Sequence, residues 1–235
     1  MKLRIKFAKS GAMKFIGHLD VMRYFQKAVR RAGVDIAYSG GFSPHQIMSF
    51  AAPLGVGLCS RGEYFDIEVH SASSSEEIKR QLNEVMVEGM EILSVTMLEE
   101  QTKNAMASVA AAEYTVRFRK GYEPDFDWKE KLPAFYEKPS ILVTKQTKRS
   151  QMEMDLKPAI YALSLSEDEA ERSVIRMLVD ASSSGNIKPG MVLEAFMKEQ
   201  GKELPKFALE ITREDTYTRT EEGGLVPLDG IGKAF

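Results

Sequence analysis

At 235 residues, 43% of them hydrophobic and 28% charged, the chain can bury one large core or two small ones. No stretch approaches the roughly 18 consecutive apolar residues of a membrane helix, and the alternating start Met-Lys-Leu-Arg-Ile-Lys-Phe reads as a strand and not as a signal or transit peptide, so no membrane and a cytoplasmic location are expected. The net charge of −2 hides an asymmetry: residues 1–60 hold nine Lys/Arg against two acids, a balance of +7, which leaves −9 for the remainder and suits one end to a polyanion.

In chain order, Lys2 to Lys9 alternates as a strand, with Leu3, Ile5 and Phe7 on one side and Lys2, Arg4 and Lys6 on the other. Ser10-Gly11 breaks it. Apolar residues at Leu19, Met22, Phe25, Val29 and Ala32 predict a helix over about 19–32, closed by Gly33. A short strand over Val34 to Tyr38, a turn at Ser39-Gly40-Gly41 and a strand over Gln46 to Ala51 follow. Glu63 to Val69 alternates as a strand, Ser74 or Ser75 caps a helix ending near Gly89, and Ile92 to Leu98 is a further strand.

Residues 101–112 form a linker or a short docked helix. The theme then recurs, with a strand at Tyr114 to Phe118, a helix around Trp128, and a strand at Ile141 to Thr144. A hairpin over Ile160 to Leu165 and Val174 to Val179, a helix opened by Pro189 and a strand over Phe207 to Ile211 complete it. The expected fold is α+β, with two tandem ferredoxin-like βαββαβ units of antiparallel sheet over 1–100 and 113–219 and a loosely ordered tail over 220–235.

The stretch from Phe15 to Glu63 is densest in groups with special chemistry. At about 100° per residue, Arg23, Lys27, Arg30, Arg31 and Asp20 share one face of the first helix. Such a stripe is either a solvated face with Asp20 paired to Arg23, or a track for phosphates that gains affinity through counterion release. Lys14 and Gly17-His18-Leu19-Asp20 stand at the start of that helix, where unpaired N–H groups favour an anion or are capped by Asp20. His18, which titrates near neutral pH, and Asp20 are the catalytic candidates if any chemistry occurs, although a lone histidine in a turn is more often structural.

Gly40 and Gly41 permit close backbone approach, and Phe42 offers a ring to an exposed base unless it belongs to the core. His45 and Arg61 are read with them as part of the anion-binding surface. Cys59 is the only cysteine, so a disulfide, a cysteine zinc site and an iron–sulfur centre cannot be built from this chain alone, and the spacings of His18, His45 and His70 fit no standard metal site. Neither metal nor cofactor is expected. Serine-hydrolase and P-loop signatures are absent.

The segments FIGHLDVMRYFQKAVRRAG and YSGGFSPHQIMSFAAPLGVGLCSRGEYFDIE resemble the radical SAM-linked, or radical SAM-associated, protein family. Its members are domains of unknown function, alone or fused to the C-terminus of radical SAM proteins with a cobalamin-binding-like domain. Phe15, Gly17, His18, Leu19, Asp20, Arg23, Arg30, Arg31, Ser39, Gly41, Phe42, Pro44, Gly57, Ser60 and Glu63 match its motif, whereas Gln46-Ile47-Met48 departs from it. The likeness covers about residues 1–100 and returns weakly at SGNIKPGMVLEAFM.

The resemblance implies a radical SAM iron–sulfur protein as partner. The resulting expectation is a non-catalytic accessory subunit that binds tRNA or rRNA or presents a substrate to that enzyme. The alternatives are an RNA-modifying or RNA-processing enzyme using Asp20 and His18, and a protein-interaction module that binds no nucleic acid.

Overall fold

The structure, a computed structural model, describes residues 1–146, 151–168 and 170–235. The chain divides into two units, the first comprising residues 1–110 and 213–235 and the second residues 111–212. Both mix helices with antiparallel strand pairs.

The first unit contains β1 (Lys2–Lys9), α1 (His18–Arg31), β2 (Met48–Phe50), β3 (Cys59–Glu68), α2 (Ser75–Asn83) and β4 (Met90–Leu98). β1 lies between β4 and β3, β2 pairs with β3, and all three registers are antiparallel. The alternation of β1 places Leu3, Ile5 and Phe7 against Phe25 and Val29 of α1 and Ile78 and Leu82 of α2, forming one core. Of the two serines that the sequence offers, Ser74 caps α2, accepting from the Glu77 N–H.

The opposite face of β1 is not a solvated row of cations. Arg4 is 0% exposed and forks onto both carboxylate oxygens of Asp66 at 2.8 and 3.0 Å. Lys6 pairs with Asp215 at 2.6 Å. This face is covered by α3 (Ala105–Ser108) and by the end of the chain. Residues 220–235, expected to be a loose tail, instead form β11 (Leu225–Pro227) on β10 (Leu209–Arg219) and a 3-10 turn that buries Leu228 completely. Asp229 accepts from Tyr64 at 3.1 Å and from Ser94 at 2.6 Å, which fastens this turn to β3 and β4.

Two expected strands are reduced. Val34 to Tyr38 contributes only the isolated bridges Ile36 to Val69 and Tyr38 to Gln46, and the Gln46 to Ala51 stretch shortens to β2. Gly33, at a φ of +70°, turns the chain sharply at the end of α1, and the segment then widens into a loop instead of a tight hairpin.

The second unit contains β5 (Ala111–Phe118), α4 (Trp128–Tyr136), β6 (Leu142–Gln146), β7 (Gln151–Asp155), β8 (Ile160–Glu167), β9 (Ser173–Asp180) and α5 (Pro189–Glu199). β9 pairs with β5 and β8, realising the expected hairpin, while β6 and β7 form a separate antiparallel ribbon. Trp128, Leu132 and Phe135 of α4 and Val192, Leu193 and Phe196 of α5 pack on the β5, β8 and β9 side chains. β10 begins in this unit, and Phe207 lies outside it, 80% exposed at a φ of +62°. Among the described residues no helix is long and apolar enough to cross a membrane.

Candidate nucleic-acid interface

Helix α1 is set up locally. Gly17 stands in extended conformation at its N-cap, Asp20 lies in the first turn, and Arg30 and Arg31 lie in the last, so the charges complement the helix dipole at both ends. Val21, Phe25, Ala28 and Val29 are buried. Asp20, Arg23, Lys27, Arg30 and Arg31 are all exposed, and the predicted stripe is a real surface feature.

Asp20 approaches Arg23 at 3.6 Å with both side chains mostly in water, a pair that contributes little. Arg31 donates to the Val85 carbonyl at 3.1 Å. Among the described residues the side chains of Lys27 and Arg30 have no ion-pair or hydrogen-bond partner.

The loop over residues 39–45 is fastened beside this helix. The Ser39 N–H donates to the His45 carbonyl at 2.8 Å, the Ser39 hydroxyl meets His45 Nδ1 at 2.8 Å, and the His45 N–H donates to that hydroxyl at 3.1 Å. The buried Gln46 then donates its side-chain amide to the Gln26 carbonyl of α1 at 3.1 Å, while its Oε1 has no partner. Gly41 adopts a φ of +95°, open to glycine at little cost, and Phe42 is fully exposed. Phe42 is therefore not core.

Gln26 neighbours Arg23 and Arg30 on the helix, so Gln46 ties the end of the loop to the part of α1 that carries two of the stripe's cations. The start of α1 is bordered by a second loop, where the Gly57 N–H donates to the Lys14 carbonyl at 2.7 Å and Lys14 covers the exposed Phe15 ring.

Beneath this surface lies a group that the sequence reading did not assemble. His18 is half-buried, edge-on to Phe50 at 5.7 Å, and with Lys9, Glu63, Tyr64 and Leu54 it lines a cavity of about 10 Å³, room for about one water. Lys9 is 2% exposed and donates to the Ile16 carbonyl at 3.2 Å. Glu63 pairs with the equally buried Arg213 at 2.9 Å. Burial holds both the Lys9 ammonium and the His18 imidazole below their ordinary pKa values, with the Glu63 carboxylate opposing the shift in each.

Glu63, one of the residues matching the family motif, is therefore internal. Arg61 is exposed, and its partner is Glu214 at 3.5 Å, not a residue of the loop or of α1. The signal for Lys9 lay in its parity: it continues the inward series Leu3, Ile5, Phe7. Arg213 left none, being 150 residues from Glu63.

Residues 2–189 match the model of a family described as "Uncharacterized protein conserved in bacteria" (DUF2344). No curated protein matches the chain. Among solved structures 24 chains match. One, from the "Crystal Structure of a Cbf5-Nop10-Gar1 Complex", superposes at a TM-score of 0.50 with 9% identity, over 91% of this chain and 48% of that one. The chain thus spans about half the length of that solved chain, and the likeness concerns fold alone.

Proposed function

We propose that this chain, which belongs to the bacterial family DUF2344, is an RNA-binding accessory subunit that presents an RNA to a radical SAM enzyme. The observation that carries the RNA reading is the Gln46 to Gln26 hydrogen bond, which ties the end of a loop with a fully exposed Phe42 to the part of α1 that carries the exposed Arg23 and Arg30. A ring in water, on a loop tied to a helix with exposed cations, suits a single-stranded nucleic acid, whose bases stack while its phosphates displace counterions. We read both units as ferredoxin-like: in the first, βαββαβ chain order accompanies the strand order β4-β1-β3-β2. The radical SAM partner rests on the resemblance of the GHLD and GGFSPH segments and on the solitary Cys59. The cytoplasm is the compartment such a partner and an RNA imply.

Of the nine basic residues among residues 1–60, Arg4, Lys6 and Lys9 serve internal contacts, and Lys2 donates to the Thr102 carbonyl. The RNA would meet Lys14, Arg23, Lys27, Arg30 and Arg31. Fluorescence anisotropy with a single-stranded RNA tests this: Phe42→Ala and Arg30→Glu each weaken binding, and unchanged affinity in both refutes it. Turnover of the RNA, lost in Asp20→Asn with binding retained, would instead make the chain an enzyme.

A further inference from the structure

The second unit holds a groove of about 930 Å³, within the range of ligand and peptide sites. One wall is Ser140 to Thr144, and the other is the face of α5 that carries Met191, Glu194, Ala195 and Lys198. Among the described residues none of β7 lines it, and the groove follows the side of β6 away from β7.

The hydrogen-bond phase of the ribbon defines what faces this groove. The Leu156 N–H donates to the Ile141 carbonyl at 2.8 Å, and Val143 stands opposite Met154. In an antiparallel pair bonded positions alternate, so Ile141 and Val143 spend their backbone groups on the β7 side. The N–H and C=O of Leu142 and Thr144 therefore point outward along the groove.

Natural sheets protect such edges with charge, proline or a covering element. Residues 140–144, Ser-Ile-Leu-Val-Thr, contain neither charge nor proline, and Leu142 is 60% exposed. Charge on the facing wall defines the occupant further. Lys138 and Glu199 pair with each other at 2.7 Å, whereas Glu194 and Lys198 have no ion-pair partner among the described residues. They stand one helical turn apart, about 6 Å, close to the roughly 6.6 Å between alternate residues of a strand.

We propose that this groove receives an extended segment of a partner protein, which adds as a strand to the free edge of β6. A basic and an acidic residue two positions apart on that segment would face Glu194 and Lys198. Backbone hydrogen bonds to Leu142 and Thr144 hold the segment, and the charge pair sets its direction. The site is separate from the α1 surface and does not depend on RNA binding.

The probe is a displayed library of random eight-residue peptides selected on the full chain. Selected peptides are expected to alternate apolar residues and to carry the basic and acidic pair. In the labelled chain the Leu142 and Thr144 amides become slow to exchange on binding. Leu142→Pro removes an outward N–H while leaving the β7 bonds in place. It is expected to weaken peptide binding at least tenfold with melting of the chain little changed, and Glu194→Lys with Lys198→Glu is expected to exchange the order of the charged pair. Failure to select any peptide, binding indifferent to Leu142→Pro, or a dimer of the chain that Leu142→Pro dissociates would each overturn the proposal.

Discussion

The side-chain amide of Gln46 reaches 3.1 Å to the backbone carbonyl of Gln26, and that bond ties the end of the GGFSPH loop to the basic helix. The same glutamine leaves its Oε1 buried without a partner. Gln46→Leu removes the bond and the orphan acceptor together, and a lost hydrogen bond of about 1 kcal/mol is offset by the lost desolvation penalty. The variant should melt within a few degrees of the parent while binding RNA more weakly. Equal RNA affinity would mean that the placement of the loop does not matter.

Phe42 is fully in water and packs on nothing, so Phe42→Ala should leave thermal stability unchanged. If the ring stacks on a base, its loss costs about 1–3 kcal/mol of binding. A calorimetric melt and an RNA titration on the same sample separate the two effects, and a variant that unfolds earlier would contradict the exposed placement.

His18 predicts a pH dependence of stability. Burial depresses its folded-state pKa, with Lys9 acting in the same direction and Glu63 against it. The neutral ring is the one the fold accepts. Stability is therefore fully present above the unfolded imidazole pKa of about 6.5 and declines below it, until the pH has passed the lowered folded value. Denaturant midpoints at pH 7.5, 6.5 and 5.5 should fall more steeply for the parent than for His18→Gln. Parallel profiles would show that His18 takes no part.

Gly62 sits where a side chain has no room. A Cβ there would lie 2.3 Å from the Cα of Asp215, within the first unit. Both partners are backbone in paired strands, so neither can yield cheaply, and Gly62→Ala should destabilise by about 3 kcal/mol or more. Chemical denaturation measures it, and a change below about 1 kcal/mol would mean that β3 and β10 can separate at little cost.

The internal ion pairs should respond unlike the surface one. Asp66→Asn leaves the fully buried Arg4 without its counter-charge and is expected to cost about 3–5 kcal/mol, whereas Asp20→Asn should cost less than about 1 kcal/mol. Urea titrations of the two variants, compared with the parent, give the ranking.

The parts legible in the sequence were those with a local period. The α1 stripe, the Ser74 cap, the alternation of β1 and the β8–β9 hairpin all follow from spacings of two, three or four residues. What escaped depends on distant partners. Arg4 read only as one of three cations opposite Leu3, Ile5 and Phe7, because nothing near it announces Asp66, 62 residues on, or the Leu228 carbonyl, 224 residues on. Residues 220–235 looked loose for the same reason: the face that buries Leu228 is made by β1, β3 and β4. Lys9 was readable by parity, and its partners were not.

The most direct test of the RNA reading is the salt dependence of binding to a single-stranded RNA by the parent chain and by the triple variant Arg23→Glu, Lys27→Glu, Arg30→Glu. Each phosphate contact on a single strand contributes about −0.7 to the slope of log K against log salt, so three lost contacts should flatten that slope by about 2 and weaken binding at every salt concentration. A parent chain that binds no RNA, or a triple variant with the parent's slope, would contradict the account.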